Sequence, residues 1–312
     1  MEGCGRVSEV IPPLNVTQLN ARLAQAAAAL GIPVARARVM VCTLIVSQML
    51  PDAVAVKGGM GVKLRFGERG TRATSDLDVF THVRGEEFEQ VFRARLAEGW
   101  GTVPASKSEL RRNPDAPERV AFTATVRAVK LHDPGLARSE YVMHPYRVWI
   151  AFLDVAWGAL DVEVSDPEIE ANAHTRKAID GELVQFGAYF GFGDLQPVEL
   201  VDLEYQIAQK LQAVTDPAYL RAHDLVDLQL LWSAGPDLPS LHSLCVRTFA
   251  WRRQQAWPPL PLRPMEGWEL AYADARAETE IGGTTPILPG VAAARHWLEG
   301  IIGLIASSHA LD

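Results

Sequence analysis

Apolar positions recur at helical spacing through Leu19, Leu23 and Leu30. Asn15 or Thr17 stands in front to cap the helix, and Gly31 and Pro33 stand behind to end it. A second helix is predicted over residues 35–50. The period then changes. The run Ala53-Val54-Ala55-Val56 reads as a short strand, Lys57-Gly58-Gly59 as a glycine turn, and the stretch to Phe66 as a short helix. Residues 74–80 form a second apolar strand that carries two acids, and residues 86–98 return to helical spacing through Phe88, Val91, Phe92 and Leu96.

The middle third alternates as strands do, over residues 119–131, 146–155 and 159–164, with proline-bearing, charged loops at 111–117 and 132–138. From Pro197 onward helices dominate, predicted at 200–214, 217–232, 240–255, 267–280 and 291–305. Strands give way to helices across residues 187–197. The expected organisation is therefore an N-terminal α+β domain over 1–190 and a helical C-terminal domain over 191–312. No internal repeat or low-complexity tract interrupts either part.

Composition narrows the class. The chain has 312 residues, 48% apolar and 22% charged, which excludes a disordered or collagenous protein and leaves enough chain for a large core. Cys4, Cys42 and Cys245 are odd in number and too far apart for a zinc module or disulfide framework, so a reducing cytoplasm is the expected compartment. The N-terminus lacks a basic region followed by an apolar run, and the best apolar stretch, 39–50, is too short to span a bilayer; no membrane partner is expected. With 30 basic and 38 acidic residues the net charge is −8. Any contact with nucleic acid must therefore use a local basic patch.

The candidate chemistry begins at Ser75-Asp76-Leu77-Asp78-Val79-Phe80. Residues two apart on a strand share a face, so both carboxylates point one way while Leu77 and Val79 enter the core. Two carboxylates so close repel unless a cation lies between them, and hard oxygen ligands suit Mg²⁺ completed by substrate phosphates. An isolated Asp-x-Asp also fits a solvent-exposed strand end, and a lone Gly-Gly fits an ordinary turn. Their succession, strand, Gly58-Gly59, helix, then Asp-x-Asp strand, lets one loop hold a triphosphate beside the strand that holds the metal. Arg72 adds a fixed positive charge nearby. A third carboxylate is expected in Leu160-Asp161-Val162-Glu163-Val164-Ser165; Glu163 leads, Asp161 is the alternate and Asp154 a weaker one. Lys210 and Asp224 fall on consecutive predicted helices, where a helical hairpin can bring them together.

These residues together resemble the AbiEii/AbiGii-type nucleotidyltransferase toxins of abortive-infection and type IV toxin–antitoxin loci, including the Men-type toxins of mycobacteria. The matching motifs are Lys57-Gly58-Gly59, Arg72-x-Thr74-x-Asp76-Leu77-Asp78, Lys210 and His223-Asp224-Leu225-x-Asp227. Met60 departs from the usual Thr or Ser, and His223 from the usual Arg.

The resemblance implies a polymerase-β-like core, a mixed sheet with flanking helices, followed by a helical region. It implies transfer of a nucleoside monophosphate from an NTP to an acceptor hydroxyl with Mg²⁺, and in the Men-type toxins the acceptor is the tRNA 3′ end. Catalytic roles then fall on Asp76, Asp78, Lys210 and Asp224, nucleotide binding on Lys57, Gly58, Gly59, Arg72, Thr74 and Ser75, and metal binding on Asp76, Asp78 and Glu163. A cognate antitoxin is the implied protein partner, and Thr74 matches a position that some relatives phosphorylate. Other classes fitting parts of the pattern are a metal-dependent glycosyltransferase, a small-molecule nucleotidyltransferase and a non-catalytic nucleotide- or partner-binding module. If RNA is the acceptor, Arg65, Arg69, Arg72, Arg111 and Arg112 are the nearest basic residues by sequence. The cluster Trp251-Arg252-Arg253 with Trp257 reads as helix packing.

Overall fold

The computed structural model describes residues 10–308 apart from 82, 84, 130–142, 167–168, 170–173, 193–194, 217–220, 254 and 281–284. Cys4, the loop expected at 132–138 and the first turn of the helix expected at 217 lie outside the described residues. The chain opens with α1 (Val16–Leu30) and α2 (Val34–Gln48). The Asn15 side chain accepts from the Gln18 backbone N–H, and Gly31 closes α1 in the left-handed conformation at φ 69°. Then come β1 (Val54–Val56), α3 (Gly58–Phe66), β2 (Asp76–Thr81) and α4 (Gly85–Glu98). The β-rich part holds β3 (Trp100–Val103), α5 (Lys107–Arg112), β4 (Arg119–Ala128), β5 (His144–Phe152) and β6 (Val155–Ser165). It is followed by β7 (Thr175–Ala178), α6 (Gly181–Tyr189) and β8 (Val198–Val201). Five helices complete the described chain: α7 (Leu203–Thr215), α8 (Ala222–Ser233), α9 (Leu238–Arg252), α10 (Trp268–Glu280) and α11 (Val291–Ser307).

The eight strands form one mixed sheet in the order β3-β4-β5-β6-β2-β1-β8-β7. β2 runs parallel to β6 and β1 parallel to β8, while the remaining pairs are antiparallel. The fold is thus the expected α+β class, a mixed sheet with flanking helices followed by a helical C-terminal region. Two apolar clusters hold it. One joins the sheet to α1, α2, α4 and α6, and the other joins Ala55, Val62 and Phe80 to α7 through α11.

Several elements differ from the sequence expectation. Residues 200 and 201 are strand, not helix: β8 pairs with β1 at Val56↔Leu200, and α7 begins only after Asp202. The sheet therefore takes a strand from beyond residue 191. β3 and β7 are four-residue edge strands, one containing Gly101 and the other reading Thr-Arg-Lys-Ala, so neither shows an apolar alternation. In the loop expected at 111–117, residues 111 and 112 instead end α5, a six-residue helix opened by a reciprocal Ser106–Glu109 capping box. β5 and β6 turn at Leu153 and Asp154, both at positive φ (48° and 65°), the geometry of a tight two-residue hairpin. Asp154 consequently sits at the hairpin tip, while Glu163 lies near its opposite end beside Pro145. No single helix among the described residues is long and apolar enough to cross a membrane; α1 and α2 meet that length and composition test only as a pair, bent by 111°.

Candidate active site

β2 presents Asp76 and Asp78 on one face because Leu77 and Val79, both fully buried, occupy the other. A one-residue slip would put both carboxylates into the core, so the apolar pattern fixes their direction. The parallel neighbour β6 sets Asp161 opposite Asp76 and Glu163 opposite Asp78. Carboxylate oxygens of Asp76, Asp78 and Glu163 all lie within 4.8 Å of one another. Asp161 is drawn elsewhere: its carboxylate accepts from Arg147 Nη1 at 2.6 Å.

The three carboxylates repel one another. Burial, then the Asp76 charge, raises the pKa of Asp78, and burial, then Asp78 and Asp76, raises that of Glu163. Such mutual repulsion is relieved by a divalent cation with a preference for oxygen ligands, and three convergent carboxylates fit one.

The glycine turn abuts this trio. Gly58 adopts φ 63°, and a Cβ there would lie 1.9 Å from Asp78 Oδ2, so the position tolerates no side chain. A Cβ on Gly59 would meet Arg72 Nη2 at 3.0 Å and Thr74 Oγ1 at 3.1 Å. Lys57, which caps α3, runs inward: its Nζ donates to Ser165 Oγ at 2.7 Å, and its charge partly offsets those of Asp78 and Glu163. Thr74 Oγ1 donates to Asp76 Oδ1 at 3.2 Å, and exposed Ser75 stands 3.5 Å from the same oxygen.

Across the cleft, α7 and α8 supply a buried charge knot. Lys210 Nζ donates to Asp224 Oδ1 at 2.6 Å and to Asp227 Oδ2 at 2.7 Å. Arg72 grips Asp227 with two bonds, Nε to Oδ1 at 3.1 Å and Nη2 to Oδ2 at 3.0 Å. Burial opposes every one of these charges, but the opposite charges win: Lys210 is held above its ordinary pKa, and Asp227 and Asp224 below theirs. Asp224 keeps one buried oxygen, Oδ2, without a hydrogen bond, and Arg221 approaches it at 3.7 Å. His223 lies half-buried beside it, and burial pushes its pKa down.

The segment that carries Arg72 to Ser75 is anchored from behind. Glu68, fully buried, pairs with Lys63 at 2.7 Å and with Arg36, whose guanidinium also donates to the Glu68 and Thr71 carbonyls. Glu182 accepts the Glu68 and Arg69 backbone N–H groups, and Glu278 of α10 accepts that of Ala73 at 2.9 Å.

A family model described as the nucleotidyl transferase AbiEii toxin of type IV toxin–antitoxin systems matches residues 39–282. The chain belongs to the AbiEii family. No curated protein matches it. A solved structure described as a candidate nucleotidyltransferase from H. pylori shares 12% identity, covering 92% of this chain and 96% of that one at a TM-score of 0.38, a likeness too loose to carry an argument.

Both departures from the AbiEii pattern have a structural setting. Met60 is 2% exposed and packs in the apolar core under the glycine turn, and half-buried His223 stands beside Asp224, 3.8 Å from its Oδ1. Three residues had no role assigned from the sequence. Asp227, already part of the motif match, is the hub of the charge knot. Ser165, two residues after Glu163 on the same strand face, receives Lys57. Gln206 donates to the Gly58 carbonyl at 2.8 Å, and nothing in its sequence context announced that contact. Of the basic residues expected to rim the cleft, Arg65 donates to the Val201 carbonyl and Arg69 pairs with Glu182. Arg111 and Arg112 end α5, which follows the edge strand β3, four strands from β2. Trp257 packs edge-on against Phe249 at 5.2 Å, in keeping with helix packing.

Proposed function

We propose that this protein transfers a nucleoside monophosphate from an NTP to the 3′-hydroxyl of tRNA, blocking translation as the toxin of a toxin–antitoxin pair. The observation that carries the reading is the convergence of Asp76, Asp78 and Glu163 against Gly58, within a chain of the AbiEii family. Asp76, Asp78 and Glu163 would hold Mg²⁺, for which three carboxylate oxygens are suitable ligands. When bound, the cation would supply positive charge that offsets the triphosphate and the leaving pyrophosphate.

The protein's own residues do the rest. The glycine turn at Gly58 and Gly59 admits the triphosphate to the backbone N–H groups at the start of α3. Arg72 and Lys210 oppose its charge from the α8 side, held in place by Asp227 and Asp224. Thr74 and Ser75 contact Asp76 and border the same phosphates. The acceptor oxygen bonds to the α-phosphorus, the bond from that phosphorus to the β-phosphate bridging oxygen breaks, and pyrophosphate leaves. The hydroxyl proton leaves to solvent as the new bond forms. A cognate antitoxin is the protein partner, and the cytoplasm, where tRNA and NTP meet, is the site of action.

The test offers purified protein each α-labelled NTP with Mg²⁺ and total tRNA, and in parallel a panel of hydroxyl-bearing small molecules including aminoglycosides. Label on tRNA supports the reading. Label on a small molecule alone replaces the acceptor, and release of pyrophosphate from none of the nucleotides removes the transferase assignment.

A further inference from the structure

Among the described residues, β4, β5 and β6 bury one face against the N-terminal helices and leave side chains of the other exposed beside the carboxylates. Val126, Val148, Leu160 and Val162 point into the core; Thr125, Arg127, Arg147, Trp149, Ala159 and Asp161 point out. Registered pairing arranges the outward residues in rows. One row runs Arg127–Arg147–Asp161–Asp76, and the next runs Thr125–Trp149–Ala159. The first row therefore ends on a residue of the carboxylate trio.

Trp149 is unusual in this setting. An indole on a strand normally packs against its neighbours, yet this one is 44% exposed. Its lateral neighbours are the small Thr125 and Ala159, and Ala151 follows it on the same face. Arg127 lies over the ring, 5.9 Å from its centroid. Arg147 stands between Trp149 and the carboxylates, and Asp161 fixes its direction. A flat, open aromatic flanked by two guanidinium groups fits a base stacked on the ring with its phosphates on the arginines. Asp76 lies two strands from Arg147, roughly 10 Å at the usual inter-strand spacing.

We infer that the open face formed by Arg127, Arg147 and Trp149 is the track along which a single-stranded nucleic acid approaches the carboxylate trio. Charge and continuity support this occupant. The whole chain repels polyanions at a net charge of −8, so a strand must follow a local basic path, and this one leads to the trio through register-paired residues. A duplex interior keeps its bases stacked on each other and does not satisfy the indole. The inference rests on the proposed transfer only for what happens at the end of the track; binding itself stands apart from it.

Binding is read by fluorescence anisotropy of a short fluorescein-labelled RNA with a free 3′-hydroxyl, in EDTA and without NTP, so that no turnover contributes. Trp149→Ala should weaken binding about tenfold, within the range found for loss of a base–aromatic stack, and Trp149→Phe should restore most of it. Arg127→Ala should weaken binding and flatten its salt dependence. Blunt duplex of the same sequence should bind the wild-type protein more weakly than the single strand. Equal affinity of Trp149→Ala and wild type for the single strand, with the variant melting normally, overturns the inference, as does a preference for duplex. The two readings fail separately. Wild-type protein that labels RNA while Trp149→Ala binds it undiminished keeps the transferase and removes the track. Loss of binding in Trp149→Ala, with no transfer by wild type, keeps the track and removes the transferase.

Discussion

Asp227 carries more structural weight than the residue beside it in the motif. Its carboxylate side chain is 1% exposed and accepts two bonds from Arg72 and one from Lys210. Replacing it with alanine leaves two cations in a buried space with only Asp224 to answer them. Removing one partner of a buried ion pair costs about 3–5 kcal/mol. At roughly 2–4 °C per kcal/mol for a chain of this size, the melting temperature should fall by on the order of 10 °C. Asp224→Ala should destabilise less, because Asp224 accepts one bond from Lys210 and its other oxygen has no hydrogen bond to lose.

The sign with pH follows from the depressed pKa of Asp227. Burial would raise it, and the Arg72 and Lys210 charges more than reverse that. Its contribution is therefore present above the unfolded value near pH 3.9 and lost as pH falls through the lower folded value. Thermal melts of wild type, Asp227→Ala, Asp227→Asn and Asp224→Ala at pH 7 and pH 3 check this. The gap between wild type and Asp227→Asn should be full at pH 7 and only begin to narrow at pH 3, closing as pH falls further through the lower folded value. An Asp227→Ala protein that melts within about 2 °C of wild type at pH 7, or an Asp224→Ala protein that loses more, refutes the assignment of Asp227 as the hub.

Other consequences are equally direct. Gly58→Ala should lose about 1–2 kcal/mol from the left-handed backbone alone and more from the clash with Asp78, so the metal-free melting temperature should fall and metal-dependent thermal stabilisation should disappear with it. Asp78 has a raised pKa, so its charge opposes folding progressively as pH rises above the unfolded value; Asp78→Asn should melt above wild type at pH 7 in EDTA, and the difference should shrink toward pH 4. Mg²⁺ titration monitored by melting should stabilise wild type and leave Asp78→Asn nearly unmoved. Glu68→Gln should destabilise by a few kcal/mol in urea unfolding, since buried Lys63 and Arg36 lose their shared counter-charge.

The carboxylate strand was legible because its period is strict: Leu77 and Val79 alternate with Asp76 and Asp78, and burial of the apolar pair decides the facing of the acids. Glu163 followed by the same logic, while the choice between it and Asp161 needed register, which sequence does not contain. Arg147, opposite Asp161 on the neighbouring strand, makes that distinction. Of the arginines nearest Asp76 along the chain, Arg72 does reach the charge knot, whereas Arg111 and Arg112 end a helix that follows the edge strand β3, four strands from β2; distance along the chain does not report sheet order. β8 was missed because Val198-Glu199-Leu200-Val201 runs straight into the apolar spacing of α7, and only pairing with β1 separates the two. Gln206 and Ser165 are silent in sequence because each acts through one long-range contact.

The proposed transfer by Asp76, Asp78 and Glu163 to an RNA 3′ end is tested by comparing wild type with Asp78→Ala in one assay: α-labelled NTP, Mg²⁺ and tRNA, with parallel samples in EDTA and with tRNA whose terminal 3′-hydroxyl has been oxidised. Label is expected on intact tRNA from wild type only, abolished by EDTA, by Asp78→Ala and by oxidation of the 3′ end. Label that persists with folded Asp78→Ala protein, or no label from folded wild type with any of the four nucleotides, contradicts it.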